Sequence, residues 1–131
     1  MATHAIIREA DRPRIDRGGG AATVQITTAA AGARGLMNGF TDLPPGGGIP
    51  LHWHDVEEAV LVVAGDAVAV IDGVEHSAGP GDTVWVAPGV PHRFLNRSAL
   101  PVRIFWTYAS AAATRTLAET GETRPVAAEG A

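Results

Sequence analysis

Glycine and proline divide this chain into short segments, and that feature limits its fold more than any other. The 131 residues include 16 glycines and 9 prolines, several of them clustered in residues 44–48 and 79–81. Proline fixes the backbone angle φ and glycine accepts positive φ, so such clusters end regular elements and form turns. No central segment shows the 3.6-residue apolar period of a helix. The chain between the clusters is therefore predicted to form short strands.

The segments between these clusters are rich in the β-branched and aromatic residues that favour strands. The predicted strands are residues 24–27, 36–41, 50–54, 57–64, 66–72, 74–77, 83–86, 92–96 and 102–108. Gly65 is predicted to join two of them as a hairpin, and Asp72-Gly73 is predicted to form a type I′ turn. Short strands at this regular spacing indicate an all-β sandwich or barrel.

The length suits a single domain, and both ends differ from the middle. Residues 1–20 are charged and close with three glycines, whereas the last residues are small, polar and acidic. We therefore predict an N-terminal arm (residues 1–20), a barrel (residues 21–110) and a C-terminal tail (residues 111–131). These ends are expected to be flexible arms or to add strands to a neighbouring subunit.

Charge and composition exclude several classes of function. The formal net charge is −4 and all ten basic residues are arginines, scattered apart from four in residues 8–17 that are interleaved with acidic residues, so we expect no nucleic-acid partner. The chain has no cysteine, which excludes disulfides and thiolate metal sites. No apolar run approaches the roughly 18 residues of a membrane span. We predict a cytoplasmic protein with no membrane partner.

One short segment carries the chemistry. His52 and His54 alternate around Trp53, so in an extended strand both imidazoles share a face. Glu58 follows four residues later and can supply a carboxylate, and a barrel can bring the distant His92 alongside. Such ligands suit Fe, Mn, Ni, Cu or Zn. A lone His-x-His is more often structural or exposed than a ligand, so the prediction of a metal centre depends on the whole pattern.

Two segments of the chain resemble the two motifs of the cupin family. Residues 46–65 resemble the first motif throughout, with its conserved spacing carried by Gly46, His52, His54, Glu58 and Gly65. Residues 81–96 (GDTVWVAPGVPHRFLN) resemble the second motif, with matching positions at Gly81, Gly89, His92 and Asn96. The one departure is Ala87, where the family usually has proline; it affects the turn and leaves the ligand set unchanged.

The resemblance implies a double-stranded β-helix, also called a jelly roll, with one metal ion at its centre. It implies that His52, His54, Glu58 and His92 bind a single divalent transition metal, which could be Fe, Mn, Ni, Cu or Zn. Four protein ligands in an octahedral field leave two adjacent positions for water, substrate or dioxygen. The ligand set does not select among these metals.

Strand alternation predicts which other side chains line the site. Val60 and Val62 share parity with Glu58, and Phe94 and Asn96 share parity with His92, so these four are expected along the pocket wall. For Asn96 a structural role in a turn is at least as well supported. Strand alternation does not fix which way Trp85, Trp106 and Tyr108 face.

Three functions are compatible with these residues. The leading hypothesis is a dioxygenase-like oxidoreductase that uses Fe(II) on a bidentate oxygen substrate such as a diketone, an enediol or a catechol-like compound. The first alternative is a non-redox isomerase, cyclase or lyase that uses Zn, Ni or Mn as a Lewis acid. The second is a small-molecule binding or sensing module without turnover. The apolar strands and terminal arms also predict a homodimer, because pairing covers open sheet edges.

Overall fold

Residues 3–128 are described by the computed structural model, and within them the regular structure is almost entirely β. The strands are β1 (Ile15–Gly18), β2 (Ala21–Gln25), β3 (Met37–Leu43), β4 (His52–His54), β5 (Glu58–Ala64), β6 (Ala67–Ile71), β7 (Val74–Ala78), β8 (Thr83–Val86), β9 (His92–Leu95), β10 (Val102–Tyr108), β11 (Thr114–Leu117) and β12 (Thr123–Pro125). Short 3-10 turns span Glu9–Asp11, Ala29–Ala31 and Val126–Ala128. Each of the nine predicted strands overlaps one of these strands.

The strands form two antiparallel sheets that face each other. The first sheet has the order β1-β2-β3-β10-β5-β8, and the second has the order β12-β11-β4-β9-β6-β7. Most neighbours in a sheet are distant in sequence, so the chain passes repeatedly from one sheet to the other, as in a jelly roll. The prediction of an all-β double-stranded β-helix is confirmed.

The core lies between the two inner faces. Burial alternates strictly along β3 and β10, as expected for strands with one face on the core and one face outside. The apolar inner residues include Met37, Val60, Val62 and Ile104, each at most 2% exposed. Burying one such side chain contributes about 2 kcal/mol to stability. This packing holds the strands that carry the polar site in fixed positions.

The two predicted turns have different outcomes. Asp72 and Gly73 have φ of 50° and 81° and join β6 to β7 with Ile71 opposite Val74, so the type I′ hairpin is confirmed. The Gly65 hairpin is wrong, because β5 belongs to the first sheet and β6 to the second. At Gly65 the chain changes sheet with φ of 82°, and a Cβ there would lie 2.3 Å from the Pro101 carbonyl oxygen.

Both ends of the chain contribute strands to its own sheets. β1 pairs with β2 at the edge of the first sheet, and β11 pairs with both β4 and β12 in the second. The sheets thus continue beyond the predicted barrel bounds of residues 21–110. Local sequence patterns did not predict this extension, because β11 (TRTL) is polar at most positions and half-buried throughout. Among the described residues, none lies in a helix that could cross a bilayer, and a cytoplasmic location stays a prediction.

Candidate metal centre

Neighbouring strands of the second sheet bring three histidines together. β4 buries His52 and His54 on its inner face and leaves Trp53 half-buried on the other side. His92 begins β9 and lies directly opposite His52 in the antiparallel register. The ring centroids are 4.9 Å apart for His52 and His54, 4.4 Å for His52 and His92, and 5.3 Å for His54 and His92. One ligand nitrogen from each ring lies within 4.8 Å of the other two.

The carboxylate of Glu58 comes from the opposite sheet. Glu58 begins β5, is 4% exposed, and points across the barrel interior toward the imidazoles. Its Oε1 lies 2.7 Å from Nε2 of His92 and 3.7 Å from Nε2 of His54. The structure therefore brings all four side chains that the sequence singled out to one place between the sheets.

Each imidazole is oriented through the ring nitrogen that faces away from the cluster. The three Nδ1 atoms lie within hydrogen-bond distance of backbone carbonyl oxygens, at 2.7 Å for His52 and Pro50, 2.9 Å for His54 and Thr114, and 2.9 Å for His92 and Val90. A carbonyl oxygen only accepts, so each Nδ1–H donates, and in its neutral form each ring has the Nε2 lone pair available to a metal ion. Metal-binding histidines typically have this outer hydrogen bond. The donor set therefore fits a divalent transition metal.

The protonation of these groups follows from burial and from one another's charge. Burial and then the charges of His92 and His54 lower the pKa of His52 to about 2, and Arg115 acts in the same direction. His52 is therefore neutral at physiological pH, as a ligand must be. Burial opposes a charge on His92, but the hydrogen bond and negative charge of Glu58 outweigh it and raise the pKa of His92. A metal ion bound by His92 would displace this proton, since ligating imidazoles are deprotonated.

A narrow cavity leads from the cluster to the surface. Its volume of about 40 Å³ offers room for a few water molecules. His52 and Glu58 form part of its wall, and Arg17 and Arg115 also line it. An open groove of about 780 Å³ shares Arg17 and Ile49 with the cavity. A small group can therefore reach the cluster while a larger molecule extends outside.

The four side chains expected along the pocket wall are placed differently from one another. Phe94 lines the cavity. Val60 and Val62 share the inner face, but they are fully buried in the apolar core and are not among the described lining residues. Asn96 has a structural role, because its amide nitrogen donates to the carbonyl oxygens of Leu43 at 3.1 Å and Leu100 at 2.8 Å. Shared parity alone did not distinguish the cavity wall from the core.

Sequence reasoning left several lining residues unassigned. Trp106 and Tyr108 point inward from β10, with their rings stacked at 5.0 Å, and the Tyr108 ring lies 4.4 Å from that of His54. Nε1 of Trp106 donates to Oγ1 of Thr41 at 2.9 Å. Tyr108 lies opposite Glu58 in the register of β10 and β5, so the pairing of these strands would have revealed its facing.

Two curated relatives and a solved structure resemble this chain. SchB of Streptomyces halstedii is 33% identical over 95 residues, which cover 72% of this chain and 69% of SchB. The tetracenomycin polyketide synthase protein TcmJ of Streptomyces glaucescens is 28% identical over 89 residues, covering 67% of this chain and 60% of TcmJ. The chain thus spans less than two thirds of the length of TcmJ.

The fold comparison and the family comparison agree with the two motifs. The polyketide cyclase RemF of Streptomyces resistomycificus superposes with a TM-score of 0.72 and 19% identity, over 94% of this chain and 85% of RemF, a likeness of fold. The family model described as the cupin domain matches residues 39–108, which is more than half of the chain. This match includes all four clustered side chains. The chain belongs to the cupin family.

Proposed function

We propose that this protein is a metal-dependent, non-redox enzyme that promotes ring closure in an oxygen-rich, polyketide-like molecule. The observation that carries the proposal is the cluster of three oriented imidazoles and one carboxylate at the end of a cavity. The names of TcmJ and RemF refer to polyketide assembly and cyclisation, which favours the cyclase alternative over the dioxygenase hypothesis. Both functions use the same ligand residues.

The metal would be held by Nε2 of His52, His54 and His92 and by the carboxylate of Glu58. A bound divalent ion supplies Lewis-acid polarisation of substrate oxygens, such as the two oxygens of a β-diketone. The backbone carbonyls behind the three imidazoles fix the orientation of the rings before any ligand arrives.

An aldol-type ring closure needs no oxidant. A proton passes from the methylene carbon between two carbonyls to a water molecule, that carbon forms a bond to a ketone carbon, and the ketone oxygen takes up a proton. Loss of water then completes an aromatic ring. Tyr108 lies beside His54 on the cavity wall and is well placed to give the proton to the ketone oxygen. The rings of Phe94 and Trp106 form an apolar part of the same wall.

The size of the cavity requires that only part of such a substrate enters. A volume of about 40 Å³ suits the reacting oxygens and not several rings. The adjoining groove, with Leu51, Leu95 and Leu117 in its wall, offers an apolar surface for the rest of the molecule. Arg17 and Ile49 border both spaces, so one molecule can occupy both.

The test compares metal and oxygen requirements on one substrate. Full-length protein loaded separately with Zn(II) and with Fe(II) is mixed, with and without oxygen, with a linear, β-ketone-bearing aromatic precursor, and products are identified by mass spectrometry. We expect a cyclised product with the mass of the substrate less one water, formed at the same rate with and without oxygen. His76→Ala changes an exposed histidine on β7, so this control variant should form the product at the wild-type rate. Oxygen consumption in proportion to product would instead support the dioxygenase hypothesis.

We also propose that two copies of the chain associate through the outer face of the first sheet. Phe40, Leu61, Trp85 and Phe105 share that face by strand register, since Leu61 pairs with Phe105 and Phe105 with Phe40. Trp85 is 61% exposed and Leu61 is 37% exposed. An apolar face of this kind supports association between copies.

A further inference from the structure

We propose that Arg17 and Arg115 form a carboxylate-binding subsite at the metal cavity, so that the substrate enters as a free acid and not as an ester or thioester. This inference rests on the proposed function, because it assigns a substrate class to the same cavity. It concerns the two ends of the chain, which lie outside both sequence motifs.

The position of Arg115 follows from strand register. β11 pairs with β4, and Arg115 lies directly opposite His54. Residues opposite each other in an antiparallel pair project from the same face of the sheet. His54 is on the inner face, so the Arg115 side chain enters the barrel beside the cluster, where it lines the cavity together with His52.

A strand irregularity directs Arg17 into the same cavity. β1 pairs with β2 through Asp16 opposite Ala22 and Gly18 opposite Ala21, so the register shifts at Arg17. Bulges of this kind bend a strand and redirect the side chain of the extra residue. Arg17 borders both the cavity and the outer groove, and Thr23, on the neighbouring strand β2, lines the cavity as well. The two arginines therefore approach the cavity from opposite sheets.

The charge of the cavity selects an anion. Among the described residues that line the cavity, Glu58 is the one acidic side chain, whereas Arg17 and Arg115 are both cationic. A guanidinium group binds a carboxylate through two parallel hydrogen bonds, a geometry that neutral esters do not match. Neither arginine is without a partner in the protein, so an incoming carboxylate exchanges with those contacts. Charge and geometry both favour a substrate that keeps its acid group.

The experiment measures binding and does not need turnover. Zn(II)-loaded full-length protein is titrated by calorimetry with 3,5-dioxohexanoate and with its methyl ester, which share the same diketone. We expect the acid to bind at least about tenfold more tightly than the ester, as charge-assisted hydrogen bonds imply. Equal affinities of the wild-type protein for acid and ester would overturn the proposal.

Variants locate the effect. Arg115→Gln and Arg17→Gln are each expected to weaken acid binding about tenfold and ester binding less than about twofold. Arg97→Gln, an exposed arginine bonded to Glu75, is the matched control and should leave both affinities unchanged. Arg115→Lys keeps the charge without the paired donors and is expected to fall between Gln and wild type. Zinc content and thermal unfolding of each variant verify folding. Equal losses for acid and ester would contradict the subsite.

The outcomes separate this inference from the proposed function. Cyclisation without any preference for the acid would refute the carboxylate subsite and would still support the proposed cyclase function. The opposite outcome is a preference for the acid that disappears in Arg115→Gln, with no cyclised product from any precursor. It would refute the cyclase function and support the subsite as the anion site of a binding module.

Discussion

The two sheets contribute to the candidate metal centre in different ways. The second sheet supplies three histidines, and each is fixed from behind by a backbone carbonyl. The first sheet supplies Glu58, whose carboxylate contacts two of those histidines, and Tyr108, whose ring lies against His54. We infer that the second sheet positions the metal and that the first sheet adds charge and proton transfer.

The largest effect is expected from removing a histidine. His92→Ala should lower Zn(II) affinity by more than about a thousandfold, because loss of an outer hydrogen-bond partner alone typically costs about 10- to 100-fold. Competition with a chelating dye measures this loss, and the metal-dependent rise in melting temperature should disappear with it. His76→Ala should bind metal like the wild type. Unchanged zinc affinity in His92→Ala would refute the metal centre.

The next effect concerns the first sheet and turnover. Tyr108→Phe should lower kcat for ring closure about a hundredfold while leaving zinc affinity unchanged, because proton transfer typically contributes about 10²- to 10⁴-fold. The phenyl ring keeps the contacts with Trp106 and His54, so folding should be retained. Steady-state kinetics and zinc titration on the same preparation separate the two quantities. Loss of zinc affinity in this variant would place Tyr108 in the metal-positioning set.

A third prediction tests the division of labour between the sheets directly. Glu58→Gln removes the charge but keeps the size of the side chain and an oxygen that can still bind metal, so zinc affinity should fall by about 10- to 100-fold, as for the loss of an outer partner and far less than in His92→Ala. The same chelator competition measures both variants. A loss in Glu58→Gln as large as in His92→Ala would mean that both sheets position the metal equally.

A smaller effect should distinguish the histidines from one another. His52 and His92 are oriented by carbonyls two residues earlier in the chain, whereas His54 depends on Thr114 of β11. The Asp55 carboxylate accepts a hydrogen bond from the Thr114 amide at 2.8 Å. Asp55→Ala should therefore weaken zinc binding several-fold. This loss is smaller than the about tenfold loss of affinity that is the lower limit when a ligand's own hydrogen-bond partner is removed.

The control for that prediction is Asp55→Asn, which keeps an oxygen acceptor and should bind zinc like the wild type. Zinc titration of the two variants in parallel gives the comparison. Equal zinc affinities for the Ala and Asn variants would show that β11 does not position His54.

The sequence predicted the centre of the molecule much better than its ends. His52 and His54 share a face through simple strand alternation, and the Asp72-Gly73 turn has a strong local signal. Arg17 and Arg115 reach the cavity only through a bulge and a long-range strand pairing, and neither leaves a local pattern. The hairpin prediction at Gly65 was wrong for the same reason, because a glycine between two strands fits both a hairpin and a change of sheet. Features set by neighbouring residues could be predicted from the sequence, whereas contacts between residues distant in sequence could not.

The outer faces extend the comparison between the sheets and give the prediction with the least effect on the metal. If the first sheet forms the contact between copies, the wild type should sediment as two chains of 13.5 kDa. Trp85→Asp, on that face, should sediment as one chain with unchanged zinc content, because a charge replaces an exposed apolar side chain.

Val74→Asp alters a 56% exposed residue on the second sheet and should stay dimeric. A single-chain mass for the wild type at micromolar concentration, or dissociation by Val74→Asp alone, would remove the first sheet from the interface. The ligands lie inside the barrel, so loss of zinc on dissociation would mean that the outer face also helps to hold Glu58 in position.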